Sequence, residues 1–246
     1  MFELLFGFFL FTFVFSLAKR KRNDSGRLLL PGQVDENFRQ ALRSGDNGTL
    51  IRYYRLALSR QLPVKDEQLI RINLAHALTA LGDYNNALEE IDKVSLSELT
   101  PTQVALWLNN RAYILAQMGQ FDDALDNLKD AEDLLTGHEM VGKEMILIAC
   151  LNGTRGLALL KKGDLDAAEK ALELALKLDQ TGPVEQFGTL YNAQDASRTA
   201  ERWLLLSEIS KQRGNMEEMK KRLKRAAYHP LTEPGTKAIA ALKKIN

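Results

Sequence analysis

The strongest constraint on the fold is a segment of about 15 residues that occurs three times in the chain. Each copy has apolar residues at helical spacing, then a Gly, a polar residue, an apolar residue and an Ala that opens a second apolar run. Gly readily adopts the left-handed conformation that ends a helix. Each copy therefore predicts a helical hairpin, and the three copies are Leu74–Leu88, Arg111–Leu125 and Gly156–Glu169.

The second helix of each hairpin is predicted to be buried along one face. Its first turn carries an Ala five residues after the Gly, where a small side chain lets the two helices approach closely. Further apolar residues follow at one-turn intervals on the same face. The three sets are Ala87 with Ile91 and Val94, Ala124 with Leu128 and Ala131, and Ala168 with Leu172 and Ala175.

These motifs resemble the tetratricopeptide repeat family, whose unit of about 34 residues forms a helix, a turn and a second helix. When three units start at Gln68, Ala105 and Ala149, the turn glycines fall at one family position and an aromatic or apolar residue follows at another. The resemblance implies an all-α fold, an α-solenoid of stacked helical hairpins. The aligned pairs are Gly82 with Tyr84, Gly119 with Phe121, and Gly163 with Leu165.

Two weaker copies extend the array to about five TPR-like units. A fourth copy starts near Ala200 and has Trp203 at the family's Trp position, although Met219 replaces the small residue of the second helix. The other weak copy lies at the N-terminal end and consists of Phe38–Arg43, Gly45 and Leu50–Leu58.

The spacing of the turns predicts loops and a cap. The turn glycines are 37, 37, 44 and 51 residues apart, so the later units are predicted to contain insertions around residues 136–139 and 181–184. Residues 186–195 are predicted to form an extra turn. An open-ended array needs a polar cap, and the amphipathic segment Thr236–Ile245 predicts a C-terminal capping helix.

The N-terminal segment Met1–Ala18 predicts a single transmembrane helix. It is almost entirely apolar, holds seven of the ten Phe residues and ends at the basic cluster Lys19–Arg22. It is just long enough to span a bilayer, and its Phe residues leave no polar face for lying on the surface. By the positive-inside rule the N-terminus is outside and the body cytoplasmic. The predicted organisation is an anchor at 1–18, a basic juxtamembrane linker at 19–32 and the solenoid at 33–246.

A cleaved secretory signal is the alternative for the same segment. Ser16-Leu17-Ala18 offers small residues at cleavage-site spacing. The positive charge follows the apolar run instead of preceding it, which favours the uncleaved anchor. Cleavage of residues 1–18 would make the chain an exported periplasmic or luminal structural subunit.

The composition favours a binding protein over an enzyme. After residue 30 the chain has 28 Lys/Arg and 30 Asp/Glu, so it shows no electrostatic footprint for nucleic acid. Its single cysteine, Cys150, excludes an intrachain disulfide and a Cys-rich metal site. The three histidines lie in different units. The sequence therefore predicts no enzyme, no metal, no cofactor and no small-molecule substrate.

The tetratricopeptide resemblance implies a partner-binding groove lined by the first helices of successive units. Asn73 and Asn110 share one repeat position, where an amide could bond a peptide backbone. The basic set with which some family members grip chaperone C-termini is absent, and Tyr113 favours a partly apolar peptide or helix as ligand. We expect a membrane-tethered docking scaffold or complex-assembly adaptor, with groove residues Leu69, Ile72, Asn73, His76, Asn109, Asn110, Tyr113, Gln117, Gly153, Leu157, Lys161, Leu204, Glu208 and Lys211.

Overall fold

The computed structural model describes residues 31–136, 143–181 and 188–245. This part of the chain is all-α, with eleven α-helices, one short 3₁₀ helix and no strand. None of these helices combines the length and the apolar character needed to cross a membrane. The predicted anchor at 1–18 lies outside the described residues, as does most of the predicted linker at 19–32.

In the described residues, five pairs of helices follow one another and a single helix comes last. Each pair has a first and a second helix separated by a short turn. A 3₁₀ helix at Leu96–Glu98 lies between the second and third pairs. The helices are α1 Pro31–Ser44, α2 Asn47–Leu58, α3 Val64–Ala80, α4 Tyr84–Asp92, α5 Pro101–Gln117, α6 Phe121–Leu135, α7 Lys143–Lys162, α8 Leu165–Thr181, α9 Gly188–Gln212, α10 Met216–Ala227 and α11 Glu233–Ile245.

Contacts divide the chain into two compact units, Met1–Leu99 and Thr100–Asn246. In the described part of the first unit, α3 packs against both α2 and α4. This explains why α3 is buried on more than one face, with Ile70, Leu74 and Leu78 all in the core. The ring of Phe38 on α1 meets that of Tyr54 on α2 edge to face, 6.1 Å between centroids.

The second unit stacks three hairpins. Helix α7 packs against α5 and α6, and α9 packs against α7 and α8. Ala124 and Ala168, the small residues predicted at the helix contact, are fully buried. The last helix, α11, covers α9 and α10 through a cluster that includes Leu223 and Ala238.

The five turns between paired helices share one backbone geometry. In each turn a Gly has a positive φ, from +68° at Gly45 to +95° at Gly163. A Cβ at these glycines would meet no atom within 4 Å, so the left-handed φ is the reason for Gly. The residue after each Gly donates its N–H to the carbonyl five residues earlier, as in a Schellman motif. These bonds join Asp46 to Ala41, Asp83 to Leu78, Gln120 to Leu115, Asp164 to Leu159 and Asn215 to Ser210.

Two helices begin earlier than the sequence predicts. Helix α9 starts at Gly188, twelve residues before the predicted start at Ala200, because residues 189–199 contain no Pro or Gly to end a helix. Helix α11 starts at Glu233 instead of Thr236, and the Thr232 hydroxyl caps it by accepting the N–H of Gly235 at 3.1 Å. The two predicted insertions, around residues 136–139 and 181–184, lie outside the described residues except for residues 136 and 181.

Candidate functional site

The first helices of the second unit, α5, α7 and α9, pack in succession. Residues spaced by about one turn share a face of a helix, so each of these helices brings its predicted groove residues together on one side. We call this side the first-helix face. It is defined by Asn109, Tyr113 and Gln117 on α5, Gly153, Leu157 and Lys161 on α7, and Leu204, Glu208 and Lys211 on α9.

Two polar contacts join different helices on this face. The Tyr113 hydroxyl of α5 donates to Glu201 Oε1 of α9 at 3.1 Å. Lys161 Nζ of α7 donates to Gln117 Oε1 of α5 at 2.6 Å. Tyr113, Gln117 and Glu201 are half-buried and Lys161 is exposed, so parts of these residues lie at the surface.

The charges on this face are partly desolvated. Desolvation raises the pKa of the Glu201 carboxyl above its ordinary value, and the Tyr113 hydrogen bond and the charge of Lys237 offset only part of this effect. Desolvation likewise lowers the pKa of the Lys161 ammonium. Glu201 is not among the predicted groove residues, although a fourth copy that starts near Ala200 gives it the repeat position of Leu69, which is one of them. Its spacing of three residues from Leu204 on the same helix is the signal that identifies it.

Two other predicted residues of this face, Asn109 and Leu157, are buried beneath its surface. Asn109 is buried, and its side-chain oxygen accepts a hydrogen bond from the Thr154 hydroxyl at 2.9 Å. Leu157 is buried in the core. These side chains hold α5 and α7 together and offer a ligand little surface.

Below Gly153 lies a buried arginine that the sequence reasoning missed. Arg202 is 3% exposed, and its guanidinium donates to the carbonyls of Ala149 at 2.8 Å and Ala175 at 3.1 Å. It also pairs with Asp179. A Cβ at Gly153 would lie 3.1 Å from Arg202 Nε, so Gly153 leaves room for the guanidinium. Arg202 thereby joins α7, α8 and α9.

A second ion network joins α8, α9 and α10. Glu169 pairs with both Arg213 and Arg222, and Arg222 also donates to the Leu206 carbonyl at 3.0 Å. Burial favours the neutral form of Glu169, but the hydrogen bonds from the two arginines outweigh it and hold the pKa of Glu169 below its ordinary value. The network therefore keeps Glu169 charged.

The rest of the predicted groove residues have varied surroundings. In the first unit, Leu69 and Ile72 are buried, whereas His76 is exposed. Asn73 is 8% exposed, and its Nδ2 has no hydrogen-bond partner among the described residues. In the second unit four remain. Asn110 is half-buried, Leu204 packs against the α10–α11 cluster, and Glu208 pairs with the exposed Lys211 at 3.3 Å.

Potential metal ligands do not cluster in the described part of the chain. No group of three or more His, Cys, Asp or Glu there could hold a metal ion. Cys150 is a half-buried free thiol on α7. On the first-helix face, polar and apolar side chains of three helices meet at the surface.

Comparison with known proteins supports the repeat. Residues 151–181, most of α7 and α8, match the family described as "Tetratricopeptide repeat". The fold is similar to a solved structure described as "MamA RS-1 ArsTM double mutant", with 16% sequence identity over 79% of this chain and 91% of that chain and a TM-score of 0.43. No curated protein matches the sequence. The hairpin α7–α8 thus matches a tetratricopeptide-type repeat.

Proposed function

We propose that the chain is a membrane-tethered docking scaffold whose first-helix face binds a segment of a partner protein. The observation that carries this proposal is the pair of contacts at the surface, the half-buried one from Tyr113 to Glu201 and the exposed one from Lys161 to Gln117, that bridge three helices. Such contacts contribute little net stability because water competes for the same groups. A bound peptide can therefore replace them with its own backbone or side-chain groups at low cost.

The ligand is expected to be a peptide segment or helix with both apolar and polar groups. Tyr113 and Leu204 are half-buried and offer apolar surface, while Gln117, Glu208 and Lys211 offer donors and acceptors.

The membrane tether rests on the sequence of residues 1–22. The apolar run followed by four cations favours an anchor with the N-terminus outside and the helical body cytoplasmic. Resistance of the full-length protein to carbonate extraction, with an intact N-terminal residue by mass spectrometry, is the expected result. Release by carbonate, or a mature N-terminus at Lys19, would favour the exported subunit instead.

Docking is tested by affinity capture with the full chain as bait, using detergent-solubilised membranes and soluble extract in parallel. We expect a defined protein from the membrane fraction, with at least tenfold lower recovery for Tyr113→Ala. Asp126→Ala, an exposed change on the second helix α6, is the matched control and should leave recovery unchanged. Equal recovery with both variants, at unchanged melting temperatures, would contradict a role for this face.

A further inference from the structure

The C-terminal end of the chain is strongly basic, although the body as a whole is close to neutral. Residues 211–246 contain ten Lys/Arg and three Asp/Glu, a net charge of +7. Residues 31–210 contain 18 Lys/Arg and 27 Asp/Glu, a net charge of −9. Such a separation of charge within one folded chain indicates a surface for a polyanionic partner.

Helix α10 places much of this charge away from the core. Its apolar residues Met219 and Leu223 are buried in the cluster shared with α11. Lys220 is half-buried and Lys224 is exposed, and neither forms an ion pair within the described residues. Arg225 is also exposed, with its guanidinium over the Trp203 ring at 5.9 Å.

Further cations lie on α11. Lys243 and Lys244 are exposed in its last turn. They form no ion pair among the described residues, unlike Lys237, which pairs with Glu233 at 2.7 Å. The hairpin α10–α11 therefore carries uncompensated positive charge on both of its helices.

The loop between these two helices exposes apolar side chains beside the cations. Leu231 is 100% exposed and Tyr228 is 75% exposed. A fully exposed Leu gains nothing from the fold, since it has no packing partner and is entirely hydrated. Tyr and Leu next to Lys and Arg are typical of surfaces that enter the headgroup region of a bilayer, where the apolar part is buried and the cations meet phosphates.

We infer that the α10–α11 hairpin binds the surface of an anionic lipid bilayer, with Tyr228 and Leu231 entering the interface and Lys220, Lys224 and Arg225 contacting the headgroups. A purely electrostatic partner, such as an acidic protein segment, gives no reason for the exposed Leu and Tyr. The inference concerns residues 216–245 only and depends neither on the predicted anchor at 1–18 nor on the first-helix face. It adds a second, lipid-facing surface to the body.

The test uses a fluorescent reporter on the loop of the full-length chain. Cys150→Ser removes the only native thiol, and Leu231→Cys adds one at a fully exposed position, where the change has no packing to disturb. The new thiol is labelled with an environment-sensitive nitrobenzoxadiazole dye. Vesicles of phosphatidylcholine, alone or mixed with phosphatidylserine, are then added. Glu173→Cys, exposed on α8, carries the same dye as the matched control.

We expect the dye at position 231 to brighten and shift to the blue only with vesicles that contain phosphatidylserine, and to be quenched by brominated lipid. Each cation near an anionic surface contributes roughly a fivefold factor in membrane partitioning. The triple change Lys220→Gln, Lys224→Gln and Arg225→Gln should therefore raise the lipid concentration for half-maximal response about a hundredfold. The dye at position 173 should not respond. Because the readout is local, insertion of residues 1–18 elsewhere does not imitate it.

Three results would overturn the inference. The first is no response at position 231 with phosphatidylserine vesicles. The second is an equal response to both vesicle types, which would show that the cations play no part. The third is a response without vesicles that grows with protein concentration, which would assign the surface to a second copy of the chain.

Discussion

Polar side chains join neighbouring hairpins of the second unit in two different settings. Inside the unit, Arg202 links α7, α8 and α9 through two carbonyls and Asp179, almost wholly removed from water. On the first-helix face, Tyr113 links α5 to α9 and Lys161 links α7 to α5, and these contacts are half-buried and exposed, respectively. The difference teaches that burial, and not the presence of an interhelical bond, separates a structural contact from one that a ligand can replace.

The largest expected effect is at Arg202. Arg202→Ala should lower the free energy of unfolding of the second unit by about 3–5 kcal/mol, because it leaves the charge of Asp179 buried and unpaired. Thermal and denaturant unfolding measure this loss. Gly153→Ala, which crowds the same guanidinium, should also destabilise the protein, but less. A loss below about 1 kcal/mol for Arg202→Ala would show that the buried contacts of Arg202 are no more structural than the contacts on the first-helix face.

The Glu169 network should give an intermediate effect that depends on pH. Glu169→Gln should cost about 1.5–3 kcal/mol at neutral pH, since it weakens charge-assisted bonds to Arg213 and Arg222. The pKa of Glu169 is lowered in the folded state, so its stabilisation is present above the unfolded pKa and is lost as pH falls through the folded value. Unfolding measured across the acid range should show the variant and the native protein converging. Parallel pH profiles would contradict the network.

Glu201 on the first-helix face should show the opposite pH dependence. Its pKa is raised in the folded state, so its contribution to stability is present below the unfolded pKa and is lost as pH rises through the folded value. Glu201→Gln keeps an acceptor for the Tyr113 hydroxyl and carries no charge. The variant should therefore be equally stable or more stable at neutral pH, by at most about 1 kcal/mol. A clear destabilisation at neutral pH would place Glu201 with the structural contacts.

The turns and the second helices could be predicted from the sequence because their causes are local. A left-handed Gly followed by an Ala at fixed spacing specifies a hairpin, and even the weak turns at Gly45 and Gly214 have the predicted conformation. The start of α9 was misplaced because the repeat pattern begins at Ala200, while nothing before that position breaks the helix.

The candidate site could be predicted only in part, because exposure depends on how helices pack. Repeat positions alone do not distinguish Ile72, which is buried, from His76, which is exposed on the same helix. Arg202 was missed because its partners come from two other helices, α7 and α8. Its carbonyl acceptors lie 53 and 27 residues away in sequence.

The smallest expected effect on stability belongs to two adjacent lysines. Lys161 bonds Gln117 on the first-helix face, whereas Lys162 pairs with Asp122 on the second helix α6. Both are exposed, so replacing either with Ala should change the free energy of unfolding by less than about 0.5 kcal/mol. Matched melting curves check this. A larger loss at Lys161 alone would mean that the accessible contact is structural after all.

The same pair gives the most direct test of docking through the first-helix face, because the two variants lose the same charge one residue apart. The measurement is the quantity of the membrane-derived partner recovered by full-length Lys161→Ala and Lys162→Ala baits. We expect recovery to fall severalfold for Lys161→Ala and to match the native protein for Lys162→Ala. Equal recovery by both variants, or a loss confined to Lys162→Ala, would contradict the proposed function of this face.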